Sequence, residues 1–117
     1  MKDTGFLALL KDRDYKPINA GFMKDKEDRR GASASVKLGG KRYAIWFIQR
    51  DFPTGIYACA VTTLKACVIW PVFEYIETRD MFELIEFVDN LKNGVDEDKP
   101  FNFTHPWTEL SNRIMDV

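Results

Sequence analysis

Histidine and cysteine, the usual carriers of metal and nucleophilic chemistry, are scarce in this 117-residue chain. It holds one histidine, His105, and two cysteines, Cys59 and Cys67. The cysteines lack the close spacing of a zinc or redox motif, so the sequence offers no metal site and no cofactor site. Nucleophilic catalysis by Ser or Cys needs a base beside it, and His105 stands alone between Thr104 and Pro106. No glycine-rich phosphate loop follows a strand, since the Gly39-Gly40 pair joins two β-like runs. No apolar run approaches the ~20 residues of a membrane span. The N-terminal Phe6–Leu10 run is too short for a signal peptide and is followed by charge. These absences predict a cytoplasmic protein with no membrane partner and no catalytic residues.

What is present is core-forming material and an uneven charge distribution. Hydrophobic residues make up 45% and aromatics 14%, enough for one ordinary domain spanning 1–117. The net charge is −1, yet residues 1–73 carry 13 Lys/Arg against 7 Asp/Glu, and residues 74–117 carry 4 against 11. Such a split points to contact with a charged partner.

The chain reads as α-β-β-β-β-α-α. A helix is predicted over about 4–13, with Thr4 as its cap. The seven charged residues Lys24–Arg30 predict a mobile, solvated loop over 24–32, closed by Gly31. Gly39-Gly40 predicts a tight hairpin between 33–38 and 41–50. A third strand is expected over 56–63 and a fourth over 67–76, at an edge or bulged where Pro71 lacks a donor. Met81, Leu84, Ile85, Val88 and Leu91 recur at helical spacing and predict a helix to about Asn93. After a solvated linker at 96–100, Trp107, Leu110 and Ile114 share one face of a last short helix. The predicted fold is α+β: a four-stranded antiparallel meander with one N-terminal and two C-terminal helices.

The glycine turn sets the register, and register assigns faces. Pairing Leu38 with Lys41 places Lys37 opposite Arg42 and Ser33 opposite Trp46. One face then carries Ala34, Val36, Leu38, Tyr43, Ile45 and Phe47, a core face. The other carries Ser33, Ser35, Lys37, Arg42, Ala44, Trp46, Ile48 and Arg50. Cations, hydroxyls and a ring on one face suit a phosphate backbone and a stacked base. The candidate nucleic-acid site is Lys37, Arg42, Trp46 and Arg50, with Arg29 and Arg30 in an electrostatic arm. The competing reading leaves the cations solvated as guards against edge pairing, with Trp46 covered by a helix in the space left by Ala44, Ala58 and Ala60. The last hairpin, read with its turn between Lys65 and Ala66, sets Cys59 opposite Val72 and away from Cys67, so no disulfide is expected.

Asp80, Glu83, Glu86 and Asp89 recur every third residue and fan across half the circumference of the strongest helix. They are the polar side of an amphipathic helix, or an acidic ridge that engages a basic protein surface. A third arrangement has the acidic helix facing the basic strands within the domain. The leading functional reading is a non-enzymatic, protein-binding module of inhibitor, immunity or regulatory type, using Asp80, Glu83, Glu86 and Asp89. The alternatives are a nucleic-acid-binding protein using the basic hairpin face and a small metal-free enzyme.

Overall fold

A computed structural model of the chain describes residues 16–17, 23–24, 29–50, 55–65, 67–98 and 100–115. Its centre is the hairpin of β3 (Arg29–Leu38) and β4 (Lys41–Arg50). Gly39 and Gly40 take φ of 58° and 85°, the left-handed conformation that a two-residue turn of this type demands. The register follows the turn: Leu38 pairs with Lys41, Lys37 with Arg42 and Ser33 with Trp46. The sheet continues through β5 (Tyr57–Thr63), β6 (Trp70–Thr78) and β7 (Phe101–Phe103), all antiparallel. Two short strands, β1 (Lys16–Pro17) and β2 (Met23–Lys24), pair with the outer side of β3.

The helices are α1 (Met81–Asn90), extended by a 3-10 turn at Leu91–Asn93, and α2 (Pro106–Met115). They cover opposite faces of the sheet. Leu84, Val88 and Leu91 pack α1 and its extension on Ala34, Val36, Ile45, Phe47, Cys59 and Val61. Leu110 and Trp107 pack α2 on the other face, among Trp46, Ala58, Ala60, Trp70, Val72 and Phe103. Strand alternation makes this possible, because consecutive residues of β4 and β5 feed different cores.

The domain is therefore α+β, with a five-stranded meander over β3–β7 in place of the four strands expected. The extra strand, β7, has three residues between Pro100 and Pro106, in a stretch just past the 96–100 linker for which the sequence predicts no element. Its assignment depends on Trp70, Pro71 and Val72 lying alongside as partners. The charged loop expected over 24–32 is also corrected in part. Arg29–Ala32 are strand because the long β4 continues past Trp46 and supplies partners as far as Arg50, and Met23–Lys24 pair in turn with Gly31 and Arg30 of β3. Residues 25–28 and the predicted helix at 4–13 lie outside the described residues.

The last hairpin has a different register from the one predicted. Residues 64–69 connect its strands, and Cys59 pairs with Ile76, while Val72 pairs with Thr62. Val61 pairs with Glu74, so Phe73 is an extra residue in β6, and this bulge lies two positions beyond Pro71.

Gly31 has a packing role that the loop reading hid. A Cβ there would lie 2.3 Å from Cζ3 of Trp107 and 2.7 Å from the carbonyl oxygen of Phe47. The missing side chain lets the indole of Trp107 approach the backbone of β3.

Candidate functional site

Trp46 lies at the centre of the α2-side core and is only 6% exposed. Its Nε1 donates to Oγ1 of Thr62 at 2.8 Å. Edge-to-face contacts join it to Trp70 at 5.5 Å and Trp107 at 5.2 Å between ring centroids. Ala44, Ala58 and Ala60 around it leave the space the rings fill. The base-stacking role considered for Trp46 is thus not available in this fold: its faces are occupied and its one donor is used. His105 places its ring beside Trp46 and Trp70, at 6.0 and 6.1 Å.

The cations of the hairpin are divided between two environments. Lys41, on the α1 side, pairs with Glu97 at 2.8 Å. The same carboxylate accepts from the Tyr43 hydroxyl. Hydrogen bonds from Lys41 and Tyr43 hold the Glu97 carboxyl below the usual carboxylate range. Burial, then the Glu97 hydrogen bond and charge, push the Tyr43 phenol up to about 12. Lys37 and Arg42 lie on the other face, exposed and directly opposite each other. Arg42 donates from Nη1 to Oγ of Ser35 at 3.2 Å. Among the described residues neither cation has a carboxylate partner.

The register also sets Arg29 opposite Arg50, at the far end of the same ladder. Arg30 falls one residue out of phase, opposite Gln49. Of the nucleic-acid candidates, Lys37 and Arg42 are exposed together and Trp46 is buried, while Arg29, Arg30 and Arg50 are placed by backbone register alone.

On the opposite side of the molecule, Glu83, Glu86 and Asp89 are exposed along α1. Asp80 is the N-cap, its Oδ1 accepting from the backbone N–H of Phe82 at 2.9 Å. The acidic helix does not neutralise Lys37 and Arg42, since it packs on the face that Ala34, Val36, Ile45 and Phe47 occupy. One residue that the sequence reading passed over stands out here. Phe82 is 81% exposed, next to Glu83 and one turn before Glu86. Its signal was available: Phe82 falls outside the 81-84-85-88-91 apolar spacing.

Among the described residues, no group of three His, Cys, Asp or Glu side chains is placed to hold a metal ion. Cys59 is buried, which pushes its thiol well up, and Cys67 is exposed; neither forms a disulfide. An open depression of about 220 Å³, lined by Ile56, Glu77, Thr78 and Arg79, brings one carboxylate and one guanidinium to the surface. Among the described residues, no helix is long and apolar enough to cross a membrane. No family model matches this chain, and neither the curated proteins nor the solved structures contain a match to it.

Proposed function

We propose that this protein is a non-enzymatic interaction module of the cytoplasm that binds, and thereby inhibits or regulates, a basic protein partner through the outer face of α1. The observation that carries this reading is Phe82, an aromatic ring left 81% exposed on a helix whose inner face is fully packed. Glu83 and Glu86 lie beside it, and Asp80 and Asp89 extend the acidic ridge along the helix. An apolar anchor with a charged rim is the composition of an interface hot spot. The carboxylates would steer a basic surface toward the helix and fix its orientation, and the ring would supply an apolar anchor. Burying one phenylalanine side chain contributes roughly 1.5–3 kcal/mol.

The test is capture of partners from the producing cells on wild-type protein, Phe82→Ala and the double variant Glu83→Lys/Glu86→Lys, followed by titration of the captured protein. Phe82→Ala is expected to weaken binding about 10- to 100-fold. The charge reversal is expected to slow association and abolish its salt dependence. Equal capture and equal affinity for all three proteins would overturn the reading.

A further inference from the structure

Solvated connections are normally built from polar and turn-forming residues, and the one between β5 and β6 is not. Its sequence is Leu64-Lys65-Ala66-Cys67-Val68-Ile69, with one charge and none of the glycine, proline, asparagine or aspartate that shape turns. Among the described residues five large hydrophobic side chains are exposed, and three of them are here: Leu64 at 39%, Val68 at 91% and Ile69 at 57%. Trp70, the next residue, turns into the core. Val68 and Ile69 therefore project beyond the end of the sheet. Adjacent apolar side chains left in water in this way mark contact with another body.

The surroundings of this loop are basic. Residues 52–73 contain no Asp or Glu. Tyr43 pairs with Thr63, so the chain leaves β5 alongside Arg42, and Arg42 lies opposite Lys37. Lys65, Arg42 and Lys37 are all exposed, and among the described residues none of them has a carboxylate partner. The Glu97 carboxylate is held by Lys41 and Tyr43 on the α1 side. Repulsion between cations opposes packing of this corner on a second copy of itself. A nucleic acid would meet the cations and leave the aliphatics in water. A protruding apolar tip beside cations matches a surface that is apolar within and anionic outside, and a lipid leaflet with acidic headgroups is such a surface.

We infer that the β5–β6 connection docks this protein on anionic bilayers, with Val68 and Ile69 entering the leaflet and Lys65, Arg42 and Lys37 holding the headgroups. The expectation of no membrane partner rests on the lack of a spanning run, and a loop that enters one leaflet needs no span. The α1 helix packs on the other face of the sheet from Lys37 and Arg42, so the bilayer contact stands or falls separately from the protein-binding role.

Co-sedimentation of the full chain with phosphatidylcholine vesicles, with and without about 30 mol% phosphatidylserine, tests it. Wild-type protein is expected on the phosphatidylserine vesicles and far less on phosphatidylcholine alone, with an affinity that falls as salt rises. Val68→Asp/Ile69→Asp is expected to weaken binding about 100-fold and Lys37→Ala/Arg42→Ala about 20-fold. Phe82→Ala is expected to bind as wild type does. All these positions are exposed, and circular dichroism verifies that each variant keeps its fold. Cys67 supplies a second readout, being exposed beside Val68 while Cys59 is buried. An environment-sensitive fluorophore on Cys67 is expected to shift to the blue on the same vesicles. Absence of binding to phosphatidylserine vesicles at low salt would overturn the inference. So would undiminished binding of Val68→Asp/Ile69→Asp, a loss confined to Phe82→Ala, or an unshifted label on vesicles that carry the protein down. Dimerisation that Val68→Asp/Ile69→Asp abolishes, with no vesicle binding, would also overturn it and assign the loop to a second copy.

Discussion

The two faces of the sheet solve the same burial problem with different materials. Under α1 the core is mainly aliphatic: Ala34, Val36, Ile45 and Val61 meet Leu84, Val88 and Leu91, with Phe47 as its largest fully buried member. Under α2 it is aromatic: Trp46, Trp70, Trp107 and Phe103 lie over Ala44, Ala58 and Ala60. All three tryptophans of the chain are on that one side. The aliphatic face relies on helix periodicity, with many small contacts that tolerate repacking. The aromatic face relies on matched large and small positions, and its rings need particular neighbours and a hydrogen-bond partner for an indole N–H. The surfaces outside the cores differ in the same sense. The α1 side presents an acidic helix around one ring, while the α2 side leaves Lys37 and Arg42 exposed beside the hairpin turn.

The largest expected effects come from emptying each core in turn. Trp46→Ala and Phe47→Ala are neighbours in sequence that empty opposite faces. Each is expected to cost about 3–5 kcal/mol in urea unfolding. They separate spectroscopically: Phe47→Ala should leave the native tryptophan emission maximum unchanged, whereas Trp46→Ala should alter it. A shift in both would show that the two cores are coupled across the sheet. Next comes overpacking on one face only. Gly31→Ala places a Cβ within 2.3 Å of Trp107, and is expected to cost about 1–3 kcal/mol with a shift in native emission. Unchanged emission would mean that Trp107 does not seat against β3.

Asp80→Ala removes the cap of α1 and is expected to cost about 1 kcal/mol, with no effect on tryptophan emission. The smallest effect concerns the Lys41–Tyr43–Glu97 cluster. Glu97 titrates below its unfolded value, so its contribution is present above that value, about pH 4.3, and is lost as pH falls through the lower folded value. Tyr43 is raised to about 12, so its contribution is complete below about pH 10 and is lost as pH rises toward 12. Glu97→Gln should flatten the acid limb of a stability–pH curve. It should also shallow the alkaline limb only in part, since burial is the first cause of the Tyr43 shift. An unchanged acid limb would remove Glu97 from the account.

The parts of the fold legible in the sequence are those set by local geometry. Gly39-Gly40 fixes a turn, the turn fixes a register, and β alternation then assigns each residue of 33–47 to its face without reference to the rest of the chain. The helical period from Met81 to Leu91 placed α1 equally well, and Asp80 caps it. The β5–β6 register was misread because residues 64–69 contain no turn signature and the bulge at Phe73 changes the parity partway along β6. Pro71 signals the bulge only to within two residues, and no local rule marks the turn. The three-residue β7 was missed because a strand that short exists only through its partner. Of the candidate sites, the opposition of Lys37 and Arg42 and the acidic spacing on α1 followed from period alone. The pairing of Arg29 with Arg50, the burial of Trp46 and the exposure of Phe82 did not.

The sequence by itself determined the central hairpin, the amphipathic helix and the segregation of charge, because each depends on neighbours within a few residues. Only the tertiary structure decided which helix covers which face. The local pattern states that both sides of the β3–β4 ribbon carry apolar residues, but long-range packing selects their partners. Seating Trp107 against Gly31 closes the Trp46 face, and docking Leu84 and Val88 turns Phe82 and the acidic ridge outward. Lys37 and Arg42 are thereby left on the opposite side of the sheet from the acidic helix.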